Sequence, residues 1–290
     1  AALNGIVGFR PTTGRYPADG LIRISHTRDT VGPMARTVSD AALLDAILAG
    51  DNLRVEAVSL NNVRLGVPRD PFYTDLEPAV AASMANTLRR LKAAGATLID
   101  VDLRQIGPLN ERIGFPLVLY ESRQLLEDYL AENCSETRLE RLVEDIASPD
   151  VKEAMSAVLR GDVSDDAYAE AVNLHRPLLQ AMYHDCFAHN RLDALVFPTT
   201  PLTARPILGS RDFIDLNGRR VATFPTYIRN TDPGSNAGIP GVSLPAPIAD
   251  GVMPIGIELD GPAHGDRQLL AIAIAIERLL LEGNFGGSND

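Results

Sequence analysis

The sequence predicts a fold of the α/β class, and three observations carry that expectation. Residues 64–103 hold a β-α-β unit, short apolar strands recur at 194–198, 242–245 and 254–259, and helical patterns fill 108–192 and 266–282. Residues 1–36 are rich in Gly, Pro and Thr and fit short strands joined by tight turns. A helix follows at about 38–49. Thr37 and Asp40 stand at capping-box spacing, Leu43, Leu44, Ile47 and Leu48 form an apolar stripe, and Gly50 ends it.

In the β-α-β unit, Arg64-Leu-Gly-Val-Pro68 is the first strand. Thr74 and Glu77 offer a second capping box with Pro78 near the helix start, and Val80, Met84, Leu88 and Leu91 mark one helical face. Gly95 suits the C-terminal cap, and residues 97–103 alternate as the second strand, so a right-handed crossover between parallel strands is expected. Residues 108–192 carry only helices, broken near Cys134, Pro149 and 161–164. The buried strand 194–198 leads into a loop holding Thr199 and Thr200. Residues 203–235 are mostly loop, with a hairpin around Asn217-Gly218, and the closing segment is apolar almost all round, as a buried helix would be.

The 290 residues suffice for one large or two ordinary domains with a sizeable core. A net charge of −11 without any block of basic residues argues against a nucleic-acid surface. The basic residues are almost all arginine, with lysine only at Lys92 and Lys152. Cys134 and Cys186 fit inert, buried or partly buried thiols in a reduced, cytoplasmic setting better than a disulfide framework. No window approaches 18 apolar residues, so no membrane span is expected.

The stretch Ala1-Ala-Leu-Asn-Gly-Ile-Val-Gly-Phe-Arg-Pro-Thr-Thr-Gly-Arg-Tyr-Pro17, continued by Ser25-His-Thr-Arg-Asp-Thr-Val-Gly-Pro-Met-Ala-Arg-Thr-Val-Ser-Asp40, resembles the segment that follows the serine- and glycine-rich signature of the amidase signature family. Asp193-Ala-Leu-Val-Phe-Pro-Thr-Thr-Pro201, the run from Asn230 to Pro245, and the run from Met253 to Gly261 followed by Asp266-Arg-Gln-Leu-Leu270 extend the resemblance to about Glu282. The four blocks occur in the order in which the family carries them. The resemblance implies a mixed β-sheet flanked by many α-helices, incomplete because the N-terminal portion is absent. Residues 1–290 would then be the C-terminal portion of a single domain, with a helical insertion at about 108–192.

Enzymes of this family hydrolyse amides with a serine nucleophile, a second serine on a cis peptide bond and a lysine base. The resemblance places all three upstream of Ala1, so no catalytic residue is assigned here, and this chain alone is expected to be catalytically silent. Lys92 and Lys152 fit solvated surface better than a buried base. The strings from Thr12 to Gly20 and from Ser25 to Asp29 look most like the arylacetamide branch, whose members hydrolyse indoleacetamide or mandelamide. Two alternatives stay open: a glutamine-hydrolysing amidotransferase subunit, and a non-catalytic amidase-like binding module.

The candidate substrate-binding residues lie on two loops. Thr199 and Thr200 follow a strand at its carboxyl end, where ligands bind in open α/β sheets. Asn230, Thr231 and Asp232 belong to a polar, glycine-bearing loop that lies near the active site in the resembling enzymes. Turn and cap chemistry is the bland alternative for each. Phe115, Leu119, Tyr120 and Leu174 are candidate walls for an aromatic ring. Asp29 and Arg36 are expected to pair structurally across a turn, His184 and His189 do not share a face as metal ligands would, and Ser243 fits a strand serine. The expected partners are a small-molecule amide substrate and the missing N-terminal portion, with no cofactor, metal, nucleic acid or membrane; a homodimer is compatible. Unpaired strand edges and exposed apolar surface are expected where that portion would pack.

Overall fold

The structure is a computed structural model and describes residues 1–51, 54–134, 136–247 and 253–282. Its strands are β1 (Val7–Arg10), β2 (Met34–Ala35), β3 (Arg64–Pro68), β4 (Thr97–Val101), β5 (Ala194–Pro198), β6 (Phe213–Leu216), β7 (Arg219–Ala222), β8 (Gly241–Pro245) and β9 (Gly256–Asp260). Seven form one mixed sheet in the order β2-β1-β8-β9-β5-β3-β4, parallel at β3/β4 and β3/β5 and antiparallel elsewhere. β6 and β7 form a separate hairpin. Its turn is Asn217-Gly218, both at positive φ, as the sequence predicts.

The helices are α1 (Val38–Leu48), α2 (Arg69–Phe72), α3 (Pro78–Ala93), α4 (Ile106–Glu111), α5 (Gly114–Asn133), α6 (Leu139–Glu144), α7 (Pro149–Arg160), α8 (Asp165–Glu170), α9 (Arg176–Asn190), α10 (Thr223–Ile228), α11 (Asp232–Ala237) and α12 (Asp266–Glu282). A π-helical turn, Ala171–His175, joins α8 to α9. On one sheet face Val7, Phe9, Val196, Val242, Leu244, Ile257 and Leu259 pack with α3 and α12. The other face buries Leu195 and Phe197 under α4, α5 and α9, through Ile106, Ile113, Leu117, Leu179 and Phe187. The α3 face is as predicted, with Val80, Met84, Leu88 and Leu91 all buried, and α12 is buried along its apolar length.

Five expectations are corrected. In α1 the Thr37 cap forms, but Leu43, Leu44, Ile47 and Leu48 are exposed, and Val38, Ala41, Ala42 and Asp45 face inward. Asp45 sets that rotation, because it accepts from Arg15 Nε (2.7 Å), Arg15 Nη2 (2.8 Å) and the Tyr16 hydroxyl (2.7 Å). The Thr74/Glu77 capping box does not form, since Glu77 instead accepts from the Thr203 N–H (2.8 Å), the Thr203 hydroxyl (2.9 Å) and Arg205 Nη2 (2.9 Å). Asp29 does not pair with Arg36; its carboxylate accepts from the Ile24 and Ser25 N–H groups and closes a local turn. Residues 203–235 are more ordered than a loop, holding β6, β7, α10 and the start of α11. Cys134 is exposed rather than buried or partly buried.

The outer edges of β2 and β4 are unpaired in the sheet among the described residues. Exposed apolar side chains cluster on α1 and include Ile22, Ile24 and Met34 nearby in sequence. No helix among the described residues is long and apolar enough to cross a membrane.

Candidate active site

Strand alternation determines which side chains can meet. Register places Arg10 opposite Gly241 and Gly241 opposite Asp260, while Ser243 lies opposite Glu258. Side chains two apart point to the same face, so Arg10, Ser243, Glu258 and Asp260 share one side of the sheet with Thr199, which follows β5. This is the face covered by α9 and its neighbours, and the result is a buried polar cluster within an otherwise apolar layer.

Arg10 organises it. Its Nη2 donates to Asp260 Oδ1 (2.7 Å), Nη1 to the Thr231 carbonyl (3.2 Å) and Nε to the Ile239 carbonyl (3.1 Å). β1 and β9 are not neighbours, and the guanidinium reaches Asp260 only because Gly241 has no side chain. A Cβ there would lie 2.6 Å from both Arg10 Nη2 and Asp260 Oδ1. Gly234 of α11 closes the other side, where a Cβ would lie 2.5 Å from Arg10 Nη2.

Beside this ion pair, the Thr199 and Ser243 hydroxyls share a hydrogen bond of 2.7 Å, and the Thr199 N–H donates to the Gly256 carbonyl (3.0 Å). A Cβ on Gly256 would strike Ala2, Thr199 and Ser243, so Ala2 borders the hydroxyl pair. Burial pushes the Glu258 carboxyl up to about 8; the charge of Asp260 adds to this, while Arg10 and the Thr199 hydroxyl oppose it. Burial also raises Asp260, against the pull of Arg10. Glu258 Oε2, Asp260 Oδ2, Asn236 Oδ1 and the Tyr183 hydroxyl are buried without a hydrogen-bond partner among the described residues.

The five sequence-predicted residues fall around this cluster. Thr199 lies within it, whereas the half-buried Thr200 turns its hydroxyl to the Leu202 carbonyl (2.8 Å). Asn230 is fully buried and donates to the Phe72 (3.1 Å) and Pro198 (2.7 Å) carbonyls, tying its loop to the end of β5. Thr231 donates to the Ile228 carbonyl (3.2 Å) and lends its own carbonyl to Arg10. Asp232 accepts from Arg28 Nη2 (3.0 Å), Asn110 Nδ2 (2.7 Å) and Asn236 Nδ2 (3.1 Å).

Asn230 and Asp232 thus hold loops together, and the Ser25–Asp29 loop is fixed from a second side by Glu121. That buried carboxylate accepts from the hydroxyls of Ser25, Thr27 and Tyr168, with His26 Nε2 3.3 Å away. Ser243 bonds Thr199, consistent with a strand serine. His184 and His189 make their contacts with Asp185.

Beyond the Thr199–Thr203 loop lies an open cleft of about 580 Å³ whose lining includes Leu3, Ala204, Leu208 and Tyr227 together with Arg205 and Arg211. The four candidate wall residues do not converge. Leu119 and Tyr120 line a separate groove beside α7, Phe115 meets Phe224 edge-on at 6.5 Å, and Leu174 is exposed. Sequence reasoning missed Arg10, Glu258 and Asp260. The available signal was a pair of acids alternating through an apolar strand, Ile257-Glu258-Leu259-Asp260.

Comparison with known proteins places this geometry in a family. The sequence model of the family described as Amidase matches residues 1–270. The chain is 42% identical over 288 residues to an indoleacetamide hydrolase of Rhizobium radiobacter, covering 99% of this chain and 62% of that protein. It is 38% identical over 296 residues to a mandelamide hydrolase of Pseudomonas putida, covering 97% of this chain and 56% of the relative. A crystal structure of an amidase superimposes with a TM-score of 0.80 at 31% identity, covering 97% of this chain and 59% of the other. The chain therefore spans about three fifths of the length of the proteins it matches.

Proposed function

This chain belongs to the amidase family, and on that footing we propose that its whole protein is an amidohydrolase converting a primary carboxamide to a carboxylate and ammonia. The substrate class is an arylacetamide such as indoleacetamide or mandelamide, a choice supported by the two hydrolases matched along nearly all of this chain. Residues 1–290 form the C-terminal portion of one domain in this reading, with α4–α9 as a helical insertion.

The observation that carries the division of labour is the position of the lysines. An amide carbonyl is a poor electrophile, so attack needs an activated hydroxyl, and a lysine serves as base only when burial keeps it neutral. Lys92 and Lys152 are both exposed, and Lys152 Nζ donates to the Glu144 carbonyl (2.7 Å). In this reading the serine nucleophile, the cis-peptide serine and the lysine come from outside these residues, upstream of Ala1 as in the resembling enzymes. This chain supplies the substrate side. Thr199 and Thr200 border the amide, Asn230, Thr231 and Asp232 hold the loop beside it, and the cleft over Leu3 and Tyr227 takes the ring. Its volume falls within the roughly 300–1,000 Å³ typical of small-molecule sites.

The test is ammonia release by the protein expressed from its natural reading frame, offered phenylacetamide, indoleacetamide, mandelamide and glutamine. Turnover of the arylacetamides is expected. Release from glutamine alone would sink the arylacetamide assignment.

A further inference from the structure

The buried cluster contains one more acid than its bases can balance. Arg10 is the only guanidinium among the described residues bonded to Asp260, and it bonds one carboxylate oxygen of that residue and none of Glu258. Both carboxyls are buried, and two like charges sharing one cation in a dry interior are costly. The Arg10 bond keeps the charge on Asp260, which leaves Glu258 as the group that takes the proton.

We propose that Glu258 is a positioning residue of this site, a neutral carboxyl that orients the Thr199–Ser243 hydroxyl pair while Arg10 and Asp260 carry the charge. The proposal rests on the amidohydrolase reading above. A protonated carboxyl keeps one oxygen as an acceptor and offers the other as a donor. The Thr199 hydroxyl faces Glu258 and meets Ser243 at 2.7 Å. In the proposed arrangement Thr199 donates to the acceptor oxygen of Glu258, and Ser243 must then donate to Thr199. The pair then has one fixed polarity, with the Ser243 lone pairs left for an incoming N–H donor such as a carboxamide. The groups facing Glu258 are Arg10 from β1, Asp260 on its own strand, Thr199 after β5 and Ser243 from β8, with Tyr183 from α9 beyond Arg10 and Asp260. Ionisation of Glu258 at high pH would turn it into an acceptor on both oxygens and place a second negative charge beside Asp260.

The test compares Glu258→Gln and Glu258→Leu with the wild type, in the protein expressed from its natural reading frame. Glu258→Gln keeps a neutral donor and acceptor, so kcat at pH 7 should stay within about threefold, and any fall in rate that follows Glu258 ionisation should vanish. Glu258→Leu removes both and should lower kcat by about tenfold or more, with KM changed by less than about threefold. A Leu variant as active as the wild type, or a Gln variant as damaged as the Leu variant, overturns the proposal.

Thermal unfolding tests the charge state separately, even if the Leu variant does not fold or no arylacetamide is hydrolysed. A carboxyl raised by folding binds its proton more tightly when folded, so the wild type loses stability as pH rises from the ordinary glutamate range to about 8. The Gln variant lacks that loss, and its Tm advantage should widen across this interval. A constant difference would show that Glu258 is already ionised and would overturn the neutral assignment.

Discussion

Arg10 Nη2 and Asp260 Oδ1 lie 2.7 Å apart although β8 runs between their strands, and the contact exists because Gly241 leaves the space above β8 empty. The Asp260 side chain is completely buried, whereas that of Arg10 is 19% exposed. The cation is held above its ordinary pKa: burial works against this, but the charge of Asp260 and its hydrogen bond oppose the loss of the proton.

Removing the cation should therefore be far costlier than losing a surface ion pair. Arg10→Met leaves an uncompensated buried carboxylate, and the expected loss is about 3–5 kcal/mol of unfolding free energy. Urea unfolding at neutral pH measures it. A loss below about 1 kcal/mol, the scale of an exposed pair, would show that water reaches Asp260.

Asn230 offers a neutral counterpart. Its amide serves the Phe72 and Pro198 carbonyls at once, so Asn230→Ala leaves two backbone acceptors to find other donors. Each buried, unsatisfied group costs about 1–3 kcal/mol, so a loss in or above that range is expected in urea unfolding. Asn230→Asp should be no better, because an ionised carboxylate has no donor to offer.

Glu77 governs the loop after β5 in a pH-dependent way. Burial raises its pKa, but the Thr203 N–H, Arg205 and the Thr203 hydroxyl outweigh this and leave it below the ordinary value of 4.5. A depressed carboxylate contributes its stabilisation above the ordinary value and loses it as pH falls through the folded one. Hydrogen-exchange protection of the Thr203 amide should therefore be high near neutrality and collapse in acid. Glu77→Gln should show weak protection at both ends, and equal protection in variant and wild type would contradict the assigned role.

What could be anticipated from the sequence follows from the range of the interactions. The spacing of Val80, Met84, Leu88 and Leu91 and the stop at Gly95 are local, and the structure places them as expected. Local rules also explain the misreadings. α1 carries two apolar stripes, one of leucines and one of alanine and valine, and only the distant Arg15 and Tyr16 decide that Asp45 turns inward. Glu77 stands at a capping position, yet partners more than 120 residues away claim it.

The candidate site behaves in the same way. Thr199 could be found because strand ends in α/β sheets bind ligands. Glu258 and Asp260 show only as an acidic alternation, which ordinarily signals a strand face turned to water. Here that face lies under α9 and α11, a fact that strand periodicity cannot express.

The sheet order also dictates timing during synthesis. β1 precedes its inner neighbour β8, which begins only at Gly241, and Arg10 meets its counter-ion only after residue 260. A growing chain on the ribosome must therefore carry β1 with that edge unclaimed until β8 has been made. β8 and β9 then join β1 and β2 to the rest of the sheet. Long-range closure of this kind is slow and leaves β-edges open to wrong partners, so premature termination anywhere before β8 should yield aggregating, rather than merely shortened, products.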